Sequence, residues 1–563
     1  MAGAQSVKEV YGTPVVPGIA YGEVAWVQRP QTPPASAPKL DPDKREDEYR
    51  RFEEATEVVS QRLIERSKNT VGTASDVLFM TAQMVVDKSW RKEVQKQVED
   101  DGTPAVQATM TATEKFVELF KQAGGLMAER VTDLRDVRDR VIAHLQGEPE
   151  PGIPALDHPV VLFADDLAPA DTAGLNPENV LAIATVLGGP TSHTSIIARQ
   201  LGIACIVAAR ELASIEAGSR VLVDGRTGRI EVDPDAQAAE VAVEADAKRR
   251  EVAKSWQGPG RTKDGEEVQL LVNVQDGDGA QRAAQSQAEG VGLFRTELCF
   301  LGAAKEPSVD QQADIYRPVF EAFTGKKVVV RTLDAGSDKP VAWASVPDEE
   351  NPALGVRGLR TSGIDPDQLP HQLDAIAKAS EGREGDTWVM APMVSTLAEA
   401  RWFAQMVRER DLVAGIMVEV PAAAVLAPMF LKEVDFVSIG TNDLTQYTMA
   451  ADRMNPNLAT YTDPWQPAVL ALIANTAKAG RDLSKPVGVC GEAAADPLLA
   501  CVLYGMGVTS LSMAASAIGA VGAQLSQVTG EQCREAARAV LDSGSADEAR
   551  AAARAVLEAG DAK

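Results

Sequence analysis

The sequence predicts a multidomain α/β protein that ends in a (β/α)8 barrel, with a helical bundle and a smaller α/β unit before it. Three observations lead to this prediction: a long helical stretch, a short segment of mixed strands and helices, and eight apolar runs that alternate with helical patterns. Eight strands that alternate with helices over roughly 250 residues match the number of elements and the length of a (β/α)8 barrel. A chain of 563 residues has room for roughly three or four domains.

The N-terminal part predicts short strands followed by a helical bundle. Residues 12–26 alternate apolar side chains with Pro and Gly, as short β-strands do. From about residue 41 to residue 145 apolar side chains recur at helical spacing with few prolines, so we expect packed helices. The run Glu148-Pro149-Glu150-Pro151-Gly152 ends this bundle.

The next part predicts a small α/β unit and then a linker helix. Residues 236–256 are rich in Ala, Glu, Lys and Arg, which predicts one helix, and Gly258-Pro259-Gly260 stops it. A helix that ends at such a breaker between two domains can act as a semi-rigid linker. The α/β unit before it ends near residue 233, and its apolar runs, broken by turns, are 160–164, 180–184, 204–207 and 220–223.

The predicted barrel rests on short apolar runs separated by helical patterns such as 311–323 and 397–408. The tail, 531–563, is rich in Ala, Arg and Glu and predicts further helix. The eight predicted strands are 269–275, 291–295, 327–334, 388–394, 415–420, 435–440, 486–490 and 509–513.

The charge balance excludes two classes of partner. Lys and Arg number 56 and Asp and Glu number 81, which gives a net charge of −25. Such a surface repels phosphate backbones and anionic lipid, so no nucleic-acid or membrane-surface role is expected. An anionic substrate must therefore bind in a local basic pocket.

Cysteine usage and hydropathy predict a cytoplasmic protein. The five cysteines are scattered without a CxxC pair, which is typical of a reducing compartment and argues against a disulfide framework or a zinc site. No apolar run reaches the roughly 18 residues that a membrane span needs, and residues 1–10 have no signal-peptide core.

Polar side chains stand where the predicted barrel strands end, which is where such barrels bind their substrates. Arg295 and Arg331 end strands two and three, and Arg453 lies on the loop after strand six. Guanidinium groups match phosphate and carboxylate oxygens bidentately. The three arginines therefore predict a site for a small multivalent anion.

A carboxylate pair stands on adjacent strand ends: Glu419 on strand five and Asp443 after strand six. Mg²⁺ is commonly bound by one or two carboxylates, with substrate oxygens and water completing its octahedron. The pair therefore predicts a Mg²⁺ site. The alternative is a set of ion pairs that seals the top of the barrel without binding anything.

Cys490 ends strand seven. A single cysteine at such a place can be a small buried apolar residue. It can also be a thiol, held above a planar substrate, that donates a proton to carbon. Position alone leaves both interpretations open.

A second candidate site is the string GGPTSHTSIIAR at 188–199, where a glycine turn leads into an apolar helical run. Thr191 or Ser192 is the predicted N-cap, so His193 falls in the first turn. A phosphoryl group on its ring would face free N–H groups and the positive helix end. Hydroxyls at Thr191, Ser192 and Thr194 could orient the ring. The alternative is a capping-loop histidine without chemistry.

These motifs resemble Enzyme I of the phosphoenolpyruvate-dependent sugar phosphotransferase system, over essentially the whole chain and in the right order. The resemblance implies that a histidine takes a phosphoryl group from phosphoenolpyruvate, pyruvate leaves, and the group passes to a histidine of the carrier protein HPr. The motifs are VVPGIAYG, GGPTSHTSIIAR, GLFRTE, RTLDAGSDK, ENPALGVRGLR, MVEVPAAA, SIGTNDLTQY and CGEAA.

The resemblance also implies a domain organisation. Residues 1–30 and 147–234 would form a swivelling phosphohistidine α/β domain, with the helical HPr-binding domain inserted at 31–146. A linker helix would span 235–261, and 262–563 would form the phosphoenolpyruvate-binding (β/α)8 barrel, which makes the protein a homodimer. His193 must reach the barrel mouth and then HPr, so the α/β domain must move on the linker.

Individual residues acquire roles by the same resemblance. His193 matches the phosphorylated histidine and Cys490 the proton donor, and Glu419 and Asp443 match the Mg²⁺ ligands. The residues that match substrate-binding positions are Arg295, Arg331, Asn442, Asp443 and Arg453, with Lys339 and Arg357 as secondary contacts.

Three positions depart from the family's pattern. Ser195 stands where the family usually has Ala, and Gly336-Ser337-Asp338-Lys339 stands where it usually has GGDK; both changes are conservative. Ala82 stands where the family commonly has His in the helical domain. We therefore expect the HPr-docking surface to differ from the family's usual one.

Two other functions fit parts of the sequence. Pyruvate phosphate dikinase and phosphoenolpyruvate synthase share the histidine and the barrel but need a nucleotide-binding domain, and residues 1–150 have no P-loop. A non-catalytic phosphoenolpyruvate sensor would keep the fold, but the intact His193, Glu419, Asp443 and Cys490 count against it.

Overall fold

The computed structural model divides into two compact units, Met1–Ala247 and Lys248–Lys563. The boundary between them falls inside the helix predicted as a linker. The structure describes residues 9–27, 33–34, 37–68, 73–123, 130–154, 156–167, 171, 175–189, 192–300, 303–335, 341–346, 349–453, 455, 458 and 460–558.

A mixed sheet forms the core of the α/β part of the first unit. Its strands are β1 (Glu9–Tyr11), β2 (Thr13–Val16), β3 (Ile19–Trp26), β4 (Val160–Ala164), β5 (Val180–Thr185), β6 (Ala204–Val207), β7 (Arg220–Asp224) and β8 (Arg229–Val232). Their order is β1-β8-β7-β3-β4-β5-β6-β2, with β3 to β6 parallel. Alternate residues of β4 enter different apolar clusters: Val161 and Phe163 join one, and Leu162 and Ala164 the other. Because side chains alternate along a strand, both faces of the sheet are covered.

Within the residues that the structure describes, five helices form the bundle predicted for residues 41–145. The apolar residues Phe52, Ala55, Val59 and Leu63 of the first helix are spaced three or four apart and buried, as expected for the inner face of a helix. Phe52 packs against Trp90, with ring centroids 5.4 Å apart. The helices are α1 (Arg45–Lys68), α2 (Thr73–Val85), α3 (Lys88–Glu99), α4 (Ala105–Ala123) and α5 (Val131–Gln146).

The described part of the chain then continues with a helix in the α/β unit and a helix at the boundary between the two units. The helix α6 (His193–Leu201) begins with the histidine of the second candidate site and ends at Gly202, whose left-handed φ of +67° suits a glycine C-cap. The helix α7 (Ala236–Ser255) confirms the helix predicted at 236–256.

The second unit is built on a closed barrel of eight strands in which all neighbouring pairs are parallel. Each strand overlaps one of the eight predicted apolar runs, and the runs 327–334 and 388–394 extend three residues beyond the strands that the structure forms there. The strands are β9 (Gln269–Val274), β10 (Gly290–Arg295), β11 (Lys327–Arg331), β12 (Thr387–Ala391), β13 (Val413–Val418), β14 (Phe436–Ile439), β15 (Val487–Val489) and β16 (Ser510–Met513).

Helices surround this barrel, and one large apolar core fills the space between strands and helices. The helices are α8 (Gly277–Ala284), α9 (Val309–Ala322), α10 (Gln368–Ala379), α11 (Leu397–Arg408), α12 (Pro421–Val425), α13 (Ala427–Glu433), α14 (Thr441–Met449), α15 (Pro467–Leu483), α16 (Pro497–Met506), α17 (Ala515–Leu525), α18 (Gly530–Leu541) and α19 (Ala546–Leu557).

The predicted fold class is confirmed: an α/β unit with a helical bundle is followed by an eight-stranded parallel barrel. The tail also forms helices, up to Leu557. Within the residues described above, no helix combines the length and the apolar character that a membrane span requires.

Candidate active site

The first candidate site lies at the carboxyl ends of the barrel strands. Arg295 and Arg331 end β10 and β11 and stand opposite each other in register. Glu419 directly follows β13, and Cys490 directly follows β15. Because the strands are parallel, these groups lie at one end of the barrel, as the sequence predicted.

The two arginines differ in their surroundings. Arg331 is buried, with Nη2 lying 2.5 Å from Glu297 Oε1 and Nη1 lying 3.2 Å from Asp334 Oδ2. Burial opposes its charge, but Glu297, Asp334 and Glu419 outweigh burial and raise its pKa. Arg295 forms no ion pair with any residue that the structure describes, and its buried Nε has no hydrogen-bond partner there. Of these two arginines, Arg295 is therefore the more available to an anion.

Arg357 holds two carboxylates together. Its Nη2 lies 2.7 Å from Asp334 Oδ2, and its Nη1 lies 3.0 Å from Asp443 Oδ1. The same Nη1 donates to the Tyr447 hydroxyl at 3.2 Å. The family resemblance assigned Arg357 only a secondary role, whereas in the structure this buried residue is the nearest cationic partner of Asp443.

Glu419 is almost completely buried, and its Oε2 accepts a hydrogen bond of 3.0 Å from the Met393 N–H. Burial, with the charges of Asp443 and Asp334 added to it, raises the pKa of this carboxyl. Its Oε1 lies 3.9 Å from Arg331 Nη1. Glu419 and Asp443 thus form an electrostatically strained pair that a nearby cation would relieve.

A glycine leaves room beside this carboxylate. A β-carbon on Gly440 would stand 2.8 Å from both Cγ and Oε1 of Glu419, closer than carbon atoms pack. Any larger residue at position 440 would therefore displace the carboxylate.

The remaining predicted substrate-binding residues are Asn442, at the start of α14, and Arg453, which follows the end of that helix. Asn442 Oδ1 accepts from the Glu492 N–H at 3.3 Å, and Arg453 Nη1 lies 3.9 Å from Asp443 Oδ2. No side chain caps this helix. The Thr441 hydroxyl is buried and has no hydrogen-bond partner in the described part of the chain. Free N–H groups and a hydroxyl at a helix N-terminus favour an anion.

Cys490 is buried among the apolar residues of the barrel interior. Its Sγ lies 3.6 Å from the Ile439 carbonyl oxygen, to which it can donate. Burial raises the pKa of the thiol to about 11, although a hydrogen bond with Ser438 opposes this rise. The thiol is therefore protonated at neutral pH, which is the state that a proton donor needs.

The second candidate site is the start of α6, where His193 is the first helical residue and Ser192 is the N-cap. The Ser192 Oγ accepts from the Ser195 N–H at 3.3 Å, so the predicted capping is confirmed. The Thr194 hydroxyl donates to Asp166 Oδ1 at 3.3 Å. The hydroxyls of Ser192 and Thr194 thus bond to these groups, and Thr191 lies outside the described residues, as does the side chain of His193.

Ser195, which departs from the family's usual Ala, is fully buried, and its hydroxyl donates to the Gly189 carbonyl at 2.7 Å. This bond fixes the glycine turn to the first turn of α6. Ala82 is also fully buried, in the core of the helical bundle. That departure therefore lies beneath the surface of the bundle rather than on it. Residues 336–340, which include Lys339, lie outside the described residues.

Sequence reasoning did not foresee that Glu297, Asp334 and Arg357 would form one network at the barrel mouth. The signal that could have found it is the run of charged residues directly after β10 and β11. Within the described residues no group of three or more His, Cys, Asp or Glu side chains is arranged to hold a metal ion, and the two carboxylates Glu419 and Asp443 remain the candidate pair.

Models of three parts of phosphoenolpyruvate-utilising enzymes match the chain, and they define its class. The N-terminal part matches residues 11–130, the mobile domain residues 156–228, and the phosphoenolpyruvate-binding domain residues 249–529. The barrel whose mouth carries the arginines thus coincides with the phosphoenolpyruvate-binding domain of that class.

Full-length relatives narrow the class to one family. A phosphoenolpyruvate-protein phosphotransferase from Streptomyces coelicolor is 47% identical over 95% of this chain and 96% of its own length. One from Haloferax volcanii is 38% identical over 94% of this chain and 96% of its own length. A solved structure of Enzyme I (nEIt) is 28% identical over 43% of this chain and 99% of that chain, with a TM-score of 0.37. On the sequence relatives, the chain belongs to the family of phosphoenolpyruvate-protein phosphotransferases, which are transferase enzymes.

Proposed function

We propose that this protein takes the phosphoryl group of phosphoenolpyruvate onto His193, releases pyruvate, and passes the group to a histidine of HPr. The observation that carries the proposal is the barrel mouth. There Arg295, with no ion pair in the described part of the chain, lies in register with Arg331, and the protonated thiol of Cys490 is held beside the same mouth. An anionic substrate that must lose a phosphoryl group and gain a proton on carbon requires this combination.

The arginines and the helix start would bind the substrate. Arg295, Arg331 and Arg453 supply positive charge for the phosphoryl and carboxylate oxygens. Asn442 and the N–H groups at the start of α14 supply hydrogen bonds from the opposite side. Binding in this way places the negative charge of the substrate against groups that are already fixed by the fold.

The residues present fit a Mg²⁺ ion. Glu419 and Asp443 repel each other in a buried site, and Gly440 leaves the space beside Glu419 open. Hard carboxylate oxygens in this number suit Mg²⁺ when substrate oxygens complete its shell. When bound, the ion would neutralise charge on the substrate oxygens.

His193 would act as the nucleophile. A ring nitrogen of neutral His193 forms a bond to phosphorus while the bond from phosphorus to the enol oxygen breaks, and the electron pair leaves with the enolate. The helix start that carries His193 then stabilises the negative charge of the phosphohistidine. Positioning and fixed cations supply most of the catalysis, because the protein contributes little covalent chemistry to such a step.

Cys490 would complete the reaction. Its S–H bond breaks as a C–H bond forms at the methylene carbon of the enolate, which gives pyruvate and leaves a thiolate. The raised pKa keeps this proton on sulfur until the enolate forms. A burial-raised thiol pKa suits an acid better than a nucleophile.

The helical bundle would dock HPr. A surface groove beside α1 is lined by Arg50, Glu53, Glu54, Glu57 and Val58, and Phe79 and Met80 are exposed on α2. An acidic, partly apolar surface suits a partner with a basic face. We further infer that the protein is a cytoplasmic homodimer with the domain boundaries given above. The helix α7 would be the linker on which the α/β domain moves, so that His193 reaches the barrel mouth and then HPr.

The test is to incubate the full chain with labelled phosphoenolpyruvate and Mg²⁺ and then add purified HPr. We expect label on His193, pyruvate in solution, and transfer of the label to HPr. His193→Ala should abolish labelling but leave phosphoenolpyruvate binding intact. Retained labelling in that variant, or labelling of the wild type from ATP, would refute the proposal.

Cys490→Ala provides the second arm of the test. This variant should accept a phosphoryl group from phospho-HPr onto His193 but should stall when it must form pyruvate. Normal pyruvate formation by Cys490→Ala would remove the thiol from the mechanism while leaving the role of His193 untouched.

A further inference from the structure

The interior of the barrel contains a small cavity below the candidate active site. The space open to the centre of a water-sized sphere is about 20 Å³, enough for about one water molecule. Its apolar walls include Val329, Trp388 and Phe436, and its polar lining includes Ser438, Ser510, Ser512 and Lys327. A polar cavity of this size in an apolar barrel core is a site for water rather than for a ligand.

Two serines face each other across a glycine in this cavity. Ser438, Gly488 and Ser510 are partners in register on β14, β15 and β16. A β-carbon on Gly488 would stand 2.7 Å from Ser510 Oγ and 3.7 Å from Ser438 Oγ. The two hydroxyls therefore flank the space that the glycine leaves open, and a water there can bond to both.

Ser438, Gly488 and Ser510 form a row of register partners across three strands. The Ser438 end of this row reaches the thiol of the candidate active site. Ser438 is in register with Gly488, and Cys490 lies two residues beyond Gly488 on the same, inward face, so the Ser438 hydroxyl stands beside the thiol. A hydrogen bond from the Ser438 side chain lowers the pKa of Cys490 against the effect of burial. Ser438 is itself 5% exposed, and the apolar cluster around Cys490 includes Met390, Met417 and Phe436. Ser438 is thus a hydroxyl that touches both the thiol and the cavity.

The lower end of the row opens at the amino ends of the strands. Lys327, the first residue of β11, lines the cavity, and its Nζ donates to Gln269 Oε1 at 2.6 Å. Gln269 is in register with Ser510. The Lys327 Nζ also lies 4.5 Å from the centroid of the Trp388 ring, a cation–π contact that holds the ammonium at the entrance.

We propose that the barrel interior delivers the proton that reloads Cys490 after each turnover, with Ser438 as the group that hands it to the thiolate. This inference rests on the proposed function, because it presupposes that Cys490 has given its proton to the enolate. Ser438 gives its hydroxyl proton to sulfur and takes one from the cavity water. The resulting hydroxide takes a proton from the Lys327 ammonium, which regains one from bulk solvent. The net change is one proton drawn from solvent at the amino ends of the strands.

The electrostatics of Lys327 agree with this role. Burial lowers the pKa of its ammonium to about 8, although Asp386 and Glu289 oppose this effect. A lysine that titrates near neutral pH can both give up and regain a proton, whereas an ordinary lysine holds its proton too tightly. Ser438 is a catalytic residue by this account, because it touches the reacting thiol, and Lys327 is a positioning and supply residue.

Exchange of the Cys490 thiol hydrogen with D₂O tests the proposal directly. The S–H stretching band of Cys490 is assigned by infrared difference between wild type and Cys490→Ala, and its decay is followed after transfer of the reduced full-length protein into D₂O. We expect Ser438→Ala to slow the exchange by at least about tenfold. Lys327→Met should also slow it, and Ser438→Thr, which keeps the hydroxyl, should restore the wild-type rate.

Ser512→Ala is the matched control, because Ser512 lines the same cavity but its hydroxyl donates a hydrogen bond to Asn273 Oδ1 at 2.6 Å. This variant should exchange at the wild-type rate. Wild-type exchange in Ser438→Ala would overturn the proposal. So would equal slowing in all three variants including Ser512→Ala, since altered packing would then be the cause.

Pyruvate formation separates failure of this proposal from failure of the proposed function. In a rapid-mixing experiment the rate of later turnovers relative to the first should be lower in Ser438→Ala than in the wild type, because only later turnovers need a thiol that has regained its proton. If Cys490→Ala forms pyruvate normally, the proposed function fails. If Cys490→Ala stalls while Ser438→Ala is normal at every turnover, only the proton route fails.

Discussion

Arg357 Nη1 lies 3.0 Å from Asp443 Oδ1, so one of the two carboxylates that we propose as Mg²⁺ ligands is paired with a guanidinium. Nη2 of the same guanidinium lies 2.7 Å from Asp334 Oδ2. Arg357 therefore supplies positive charge that keeps two buried carboxylates together. A cation at Glu419 and Asp443 would compete with Arg357 for Asp443.

Arg357→Met should consequently destabilise the protein and make its stability depend on metal. Removing one partner of a buried, hydrogen-bonded ion pair costs about 3–5 kcal/mol of folding free energy. We expect a loss near the lower end of this range, because Asp334 is still paired with Arg331 in the variant. Denaturant unfolding in EDTA should show the loss, and Mn²⁺ should restore more stability to the variant than it adds to the wild type.

Arg360→Met is the control for that substitution. Arg360 lies in the next turn of chain, and its contacts are to Ser395 and to backbone carbonyls rather than to carboxylates. Its loss should cost about 1 kcal/mol and should not be recovered by Mn²⁺. Equal recovery in both variants would contradict the competition for Asp443.

The barrel was predictable because each strand is buried on both faces. Its sequence is therefore a short run of apolar residues. A run such as 327–331 needs only its own composition to be recognised, and eight of them fix the architecture. The start of α6 was predictable for a similar reason, since the cap Ser192 and the glycines before it are local signals.

The network around Arg331 could not be predicted in the same way. Glu297 and Asp334 reach Arg331 from the ends of two different strands, and Arg357 comes from a loop segment. Which charged side chains meet depends on the register of the strands and on the loop path, neither of which is visible in a single sequence. The alternative of ion pairs that seal the barrel top is thus partly realised, around the same arginine that was assigned to substrate.

Arg295→Ala should weaken the use of phosphoenolpyruvate without weakening the fold. Arg295 has no ion pair within the described residues, so its removal leaves no buried charge uncompensated. Loss of one charge-assisted contact to a phosphoryl group should lower kcat/KM by about 100-fold. Initial rates of pyruvate formation give kcat/KM, and thermal unfolding gives the stability.

Arg331→Ala is the comparison for that prediction. Because Arg331 neutralises Glu297 and Asp334, this variant should lose both activity and stability. A matching loss of stability in Arg295→Ala would show that Arg295 has a structural partner after all.

Lys327 should titrate near pH 8. Burial lowers its pKa from 10.5 to about 8, so between these values the folded protein binds fewer protons than the unfolded chain. Stability should therefore rise with pH in that window, and Lys327→Met should remove this rise. Labelling with trace acetic anhydride at pH 7–10, read by mass spectrometry, should show a midpoint near pH 8. A midpoint at pH 10 or above would contradict the lowered pKa.

Arg140→Met should loosen the connection between the helical bundle and the chain that follows it. Arg140 on α5 is completely buried and contacts three carboxylates: Asp136 at 2.8 Å, Glu150 at 2.7 Å and Asp171 at 2.8 Å. Without the guanidinium these carboxylates are left close together in a buried site, at a cost of about 3–5 kcal/mol. Amide hydrogen exchange in α5 should accelerate by at least about 100-fold.

Arg138→Met is the matched change two residues away on the same helix. Arg138 is partly exposed and pairs with Glu114 at 3.0 Å and Asp139 at 2.8 Å. Exposed pairs of this kind contribute about 0–1 kcal/mol, so exchange in α5 should rise less than about tenfold. If Arg140→Met and Arg138→Met accelerate exchange equally, burial of the three carboxylates around Arg140 cannot be what holds α5 to the following chain. If only Arg140→Met does so, the buried guanidinium is what fixes this end of the bundle.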